Sequence, residues 1–167
     1  MSTCCVAQGD QARSGAEVIT LGAVGAAPNV QSVPGPNVGR TYATAVALPT
    51  GDVVHIGGAT TAVEFSDATA VLEAEVWDHL TQTWSTDAAS SEPRTYHSSA
   101  VLLMDGRVFV GGGGLCGGCS VNHQNAEMYS PAYLFNADGT AAARPTISSL
   151  SPSNIGALPS FPPASTG

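Results

Sequence analysis

Short apolar runs alternate with polar, glycine-rich breaks along most of the chain. The runs at 44–48 and 52–56 flank Pro49-Thr50-Gly51, and those at 98–103 and 107–110 flank Met104-Asp105-Gly106. Two short apolar runs around a tight, glycine-closed turn predict a β-hairpin, because the glycine supplies the left-handed backbone that such turns need. A third run at 74–77 and a fourth at 83–85 enclose the polar turn DHLTQ. The pattern predicts four short strands for roughly every 50 residues, and no segment has helical periodicity.

The pattern repeats. RTYATAVALPTGDVVHIGG, from Arg40 to Gly58, matches RTYHSSAVLLMDGRVFVGG, from Arg94 to Gly112, at an offset of 54 residues. A second marker agrees: AEVI at Ala16, AEVW at Ala74 and AEMY at Ala126 lie 58 and 52 residues apart. Trp77 and Trp84 enclose six residues on the third and fourth strands, and a diglycine follows the second. Such a unit resembles a kelch repeat, one blade of a β-propeller. A blade buries its faces only against neighbouring blades, and a ring takes four to eight of them. The fold expected is therefore all-β: about two kelch-type blades of a seven-bladed β-propeller, after a leading half-unit ending in ITLG. The expected organisation is an irregular or disordered 1–15, a partial propeller over 16–143, and from 144 the first strand of an immunoglobulin-like β-sandwich, cut short. The Pro- and Ser-rich LPSFPPASTG carries no strand pattern.

Composition narrows the partners. The 167 residues include five Arg, no Lys and thirteen acids, for a net charge of −8. Nucleic acids and anionic membranes call for clustered positive charge, so neither is expected as a partner. No apolar stretch approaches the roughly 18–20 residues of a membrane helix. MSTCCVAQGDQARSG has neither the basic nor the apolar region of a signal peptide.

Few residues can carry chemistry. His97 stands in a polar loop at the start of a strand. The preceding repeat has Tyr42-Ala43 where this one has Tyr96-His97, so the tyrosine belongs to the repeat and the histidine is an addition to it. His55 falls in a strand and His79 in a turn, both read as structural or solvent-facing; His123, in SVNHQNAE, has no assigned role. The C-x-x-C at Cys116 and Cys119 lacks the second pair of a zinc site and the helix of a thioredoxin-like pair. A local disulfide clamping the glycine-rich loop fits it best, provided the protein is extracellular. Glu64, Asp67, Glu73 and Glu75 read as a solvated acidic face. No G-x-S-x-G and no Ser-His-Asp arrangement is present.

The segment R-T-Y-H-S … D-G-R-V-F-x-G-G-G-G-L-C-G-x-C … N-H … P-x-Y-L-F … R-P resembles galactose oxidase and its relatives, the copper radical oxidases. AEVITLG, GRTYATAVALPTG, the insert with Phe65 and AEVWDHLTQTW fall in matching order, so the resemblance covers roughly residues 16 to 148. It implies Tyr96 as an axial copper ligand and the base for the alcohol proton, and His97 as an equatorial ligand. It also implies Phe65 as an aromatic of the substrate pocket and Cys116–Cys119 as a disulfide. The implied reaction oxidises a primary alcohol, such as a galactose-type sugar, to an aldehyde and reduces O2 to hydrogen peroxide. The family's tyrosyl-cysteine radical cofactor and second copper-binding histidine have no counterparts in this chain, and Cys4 and Cys5 lack the expected motif. The chain thus offers two of four protein ligands for one copper ion and is expected to be inactive alone. The resemblance places the protein outside the cell. Two other readings are a glyoxal or aldehyde oxidase of the same family and a non-catalytic kelch-type module binding carbohydrate or protein.

Overall fold

A computed structural model describes residues 7–146. The chain divides into two units, Met1–Leu134 and Phe135–Gly167. Among the described residues the first holds nine strands in three antiparallel sheets and no α-helix. β1 (Ala16–Thr20) pairs with β2 (Asn29–Val33). The largest sheet runs in chain order through β3 (Thr44–Ala47), β4 (Val53–Ile56), β5 (Glu73–Asp78) and β6 (Thr83–Ala89). The third is β7 (Ser98–Leu102), β8 (Val108–Gly112) and β9 (Ala126–Tyr129).

Both predicted hairpins form. Their turns close alike: the Gly51 amide donates to the Leu48 carbonyl and the Gly106 amide to that of Leu103. β2 was not anticipated, because NVQSV is polar and almost wholly exposed. β6 extends four residues beyond 85, its pairing shifted by a bulge opposite β5. In the second unit the described residues form a turn, with a Phe135–Ala141 bridge and the Asn136 amide donating to Thr140 O at 2.8 Å. Most of the expected sandwich strand, and both Cys4 and Cys5, lie outside the described residues.

The core is the seam between the second and third sheets. Val46, Leu48, Val54, Ile56 and Ala74 from one meet Val108 and Val110 from the other, with Ala100, Leu102 and Tyr129 packed around them. At roughly 1.5–3 kcal/mol for each fully buried large aliphatic side chain, this seam is the main source of stability in the sheet pair. The other face of the third sheet has no such cover. Val101, Phe109 and Met128 stand in one cross-strand row, 53%, 40% and 41% exposed.

The two sequence markers of the repeat are one interaction. Arg40 of the first R-T-Y meets Glu75 of AEVW at 2.5 Å with both side chains buried, and Arg94 of the second meets Glu127 of AEMY at 3.1 Å. Glu75 is therefore not part of a solvated face: its two carboxylate oxygens also accept the Asn37 and Val38 amides. The guanidiniums bind carbonyls as well, Arg40 those of Gly57 and Glu73, Arg94 those of Gly112 and Asn125.

The repeats are not superimposable at one offset. The R-T-Y triplets lie 54 residues apart, but the turn glycines Gly51 and Gly106 lie 55 apart. The left-handed pair Gly57-Gly58 accordingly corresponds to Gly112-Gly113, not to Gly111-Gly112. One extra residue therefore enters the second repeat just ahead of β7. There the left-handed residue before the strand is His97, φ 67°, where the first repeat has Tyr42, φ 61°. His97 thus stands at the structural position of Tyr42, and Tyr96 is displaced by one from its apparent counterpart.

Candidate metal centre

Tyr96 and His97 occupy the middle of a tight turn in which the Ser98 amide donates to Thr95 O at 3.0 Å. The turn rests on the preceding sheet. The Gly58 amide donates to Arg94 O at 2.7 Å, and a Cβ on Gly57 would lie 2.4 Å from that oxygen. Only glycine admits so close an approach. A β-substituted residue held left-handed costs of order 1–3 kcal/mol and persists only where its surroundings enforce it. Here the enforcement comes from both sides of the turn.

The glycine loop supplies the second side. The Gly114 amide donates to Tyr96 O at 2.9 Å, and His97 Nδ1 donates to Gly114 O at 2.8 Å. A carbonyl can only accept, so Nδ1 carries a proton, and in the neutral ring Nε2 presents its lone pair. Gly114 is itself buried beneath Val121 and Asn122, whose oxygens would lie 2.3 and 2.7 Å from a Cβ at that position. Cys116 and Cys119 are joined by a disulfide with Cα atoms 5.7 Å apart. Asn122 completes the clamp, accepting from the Cys116 amide at 3.0 Å and donating to Gly117 O at 2.6 Å.

Three aromatic rings surround Tyr96. His97 stacks on it with centroids 3.8 Å apart, while Phe65 and Tyr42 meet it edge-on at 5.2 and 5.4 Å. Phe65, left-handed at φ 55°, also meets His97 at 5.9 Å. It stands at the tip of a loop held by Thr41–Ala59 and Ala59–Ala70 bridges. Tyr42 is part of the cluster as well as of the repeat, with its phenol pushed above its ordinary range by burial and then by Glu64 and Tyr96. The R-T-Y shared by both repeats was the available signal.

The structure therefore brings together Tyr96, His97 and Phe65, with the disulfide loop behind them. A directed imidazole stacked on a phenol ring offers nitrogen and oxygen donors of the kind that suit copper or iron. The carbonyl that fixes the tautomer is the usual outer-shell partner of a metal-binding histidine. The two donors fit such an ion and, being two, leave most of its coordination to other groups. The described residues hold one grouping of three or more carboxylates, imidazoles and thiols, Asp52, Asp78 and His79, with donor atoms within 4.8 Å. Its members already serve two turns: His79 Nδ1 bonds Asp52 at 2.9 Å, and Asp78 accepts the Leu80 and Thr81 amides. His55 is in β4, its ring 6.0 Å from that of Trp84.

Comparison with known proteins bears on the same residues. Residues 12–133 match the family described as glyoxal oxidase N-terminus. Two galactose oxidase sequences of Gibberella zeae are each 40% identical over 149 residues, which is 89% of this chain and 22% of theirs. Among solved structures, a fungal alcohol oxidase of the AA5 family in complex with copper superimposes with a TM-score of 0.79 at 39% identity, covering 86% of this chain and 30% of that one. The chain thus spans less than a third of the length of these relatives.

Proposed function

Because the chain belongs to the galactose oxidase-like copper radical oxidases, through the glyoxal oxidase N-terminal family, we propose that it carries one side of their copper site. Its sheets are blades of that family's propeller-type domain. In this reading they are kelch-type, and the protein of which they form part works outside the cell on primary alcohols with O2. No helix among the described residues is long and apolar enough to cross a membrane.

The observation that carries the reading is the hydrogen bond from His97 Nδ1 to Gly114 O, which leaves Nε2 free beside the ring of Tyr96. His97 Nε2 and Tyr96 Oη would hold the copper ion. Copper supplies one-electron redox chemistry and polarises an alcohol oxygen. Tyr96 would take the hydroxyl proton at Oη, and the Phe65 ring, 40% exposed, would face the carbon skeleton. In balance, a primary alcohol and O2 give an aldehyde and hydrogen peroxide. A second histidine and a radical tyrosine would come from other parts of a complete enzyme, so this chain alone binds copper weakly and turns over no alcohol.

Copper(II) titration followed by electron paramagnetic resonance tests the half-site. One nitrogen-coordinated copper is expected, lost in His97→Ala, and an unchanged spectrum in that variant sinks the proposal. Peroxide released by the isolated chain would refute the claim that it is inactive. The family match also favours a second substrate class, glyoxal and related aldehydes. Comparing galactose with glyoxal in a complete enzyme bearing this segment separates the two.

A further inference from the structure

We propose that His123 is a positioning residue: it fastens the Phe65 loop against Tyr96 and His97, and so sets the width of the pocket beside the metal. The inference rests on the copper-site reading for its consequence, but not for its geometry. The side chain of His123 is 13% exposed and sits between two carboxylates. Nε2 donates to Asp67 Oδ2 at 2.8 Å, and Nδ1 faces Glu92 Oε2 at 3.2 Å. Asp67, two residues beyond Phe65, also accepts from Thr95 Oγ1 at 3.5 Å through its other oxygen. The His123 amide donates to Gly113 O at 3.2 Å.

One residue therefore ties three segments: its imidazole reaches the tip of the Phe65 loop and the approach to Tyr96, and its amide holds the glycine loop whose carbonyl orients His97. Asp67 is accordingly no solvated acid; its carboxylate anchors the loop. Packing alone does not explain the choice of residue, since an apolar side chain of equal size would fill the space and leave Asp67 only its long contact with the Thr95 hydroxyl and Glu92 without the facing imidazole. Phe65 is held over the rings by edge contacts on a left-handed backbone, which makes the tether at Asp67 the more important. In a complete enzyme, releasing it would widen the wall formed by Phe65. Bulky alcohols would gain on small ones, through KM rather than kcat, by about tenfold, the order of change that a methylene's worth of pocket space carries.

The test uses the full chain labelled with 4-fluorophenylalanine, with the Phe65 signal assigned by Phe65→Leu. His123→Leu fills the volume without a donor and should move that fluorine signal toward its position in unfolded chain. His123→Gln retains an N–H for Asp67 and should restore it in part. A Phe65 signal unmoved in folded His123→Leu overturns the proposal. If that variant does not fold, His123→Gln decides: a signal near the wild-type position supports the tether, and an unfolded-like one overturns it. Copper binding is scored separately. A chain that takes up no copper would sink the metal reading, while the fluorine result would still decide the tether.

Discussion

At His97 one residue meets two demands that can be separated by substitution. Its left-handed backbone favours glycine, while its imidazole is the proposed metal ligand. His97→Gly should keep or raise the melting temperature while abolishing copper binding, a split read by calorimetry beside the copper titration. Gly114→Ala tests the other half of the pair. A methyl group there collides with Val121 O, displaces the carbonyl that orients His97, and should weaken copper binding by about 10–100-fold. His55 supplies a pH dependence. Burial, and then the Arg40 guanidinium, hold its imidazole below the ordinary histidine value against the pull of Glu75. Below a pH of about 6.5 the unfolded chain takes up a proton that the folded chain refuses, so this contribution is intact above that pH and declines as pH falls. His55→Phe should shrink the drop in urea midpoint between pH 7.5 and pH 5.

Among the elements, the Arg–Glu pairs explain why the repeat could be read in the sequence. R-T-Y and A-E recur together because each arginine of one motif meets the glutamate of the other and caps carbonyls at the end of its sheet. Glu75→Ala leaves the Arg40 guanidinium buried without its carboxylate and should cost about 3–5 kcal/mol in denaturant unfolding. Glu127→Ala should cost clearly less, because Glu127 is a quarter exposed and Arg94 keeps the Gly112 and Asn125 acceptors. The strands were legible from the alternation of apolar and polar residues; the faces they bury were not. Matching triplets suggested a single offset, whereas register depends on one residue added just before β7, a place where no apolar pattern constrains the count. β2 was hidden for a related reason: an exposed strand has no buried face to write into its composition. Tyr96, His97 and the C-x-x-C could be found as motifs. Their partners Gly114, Asp67 and His123 act through a carbonyl and through pairings 17 and 56 residues apart, which local pattern does not encode.

For the molecule as a whole, equivalent rows of the second and third sheets differ in what covers them. Counted from the turn glycines, Val101 and Phe109 of the third sheet correspond to Val46 and Val54 of the second, and the A-E motifs align Met128 with Val76. In the second sheet that row lies against a neighbour; in the third it is about half exposed. A contiguous apolar row of this kind marks an interaction surface and favours association in isolation. The chain alone should therefore bind a hydrophobic dye and scatter light at raised concentration. Phe109→Ser should reduce both while changing unfolding free energy by no more than about 0.5 kcal/mol, the usual range for surface sites.

The contact between Gly58 and Arg94 decides how this site could be moved to another protein. A transplant of the segment from Pro93 to His123 would carry both donor side chains, the glycine loop and its disulfide. It would leave behind the diglycine on which the turn rests and the loop that brings Phe65 and Asp67. The smallest portable piece is therefore two adjacent blades, from Arg40 onward, because the second carries the proposed ligands and the first holds them in place.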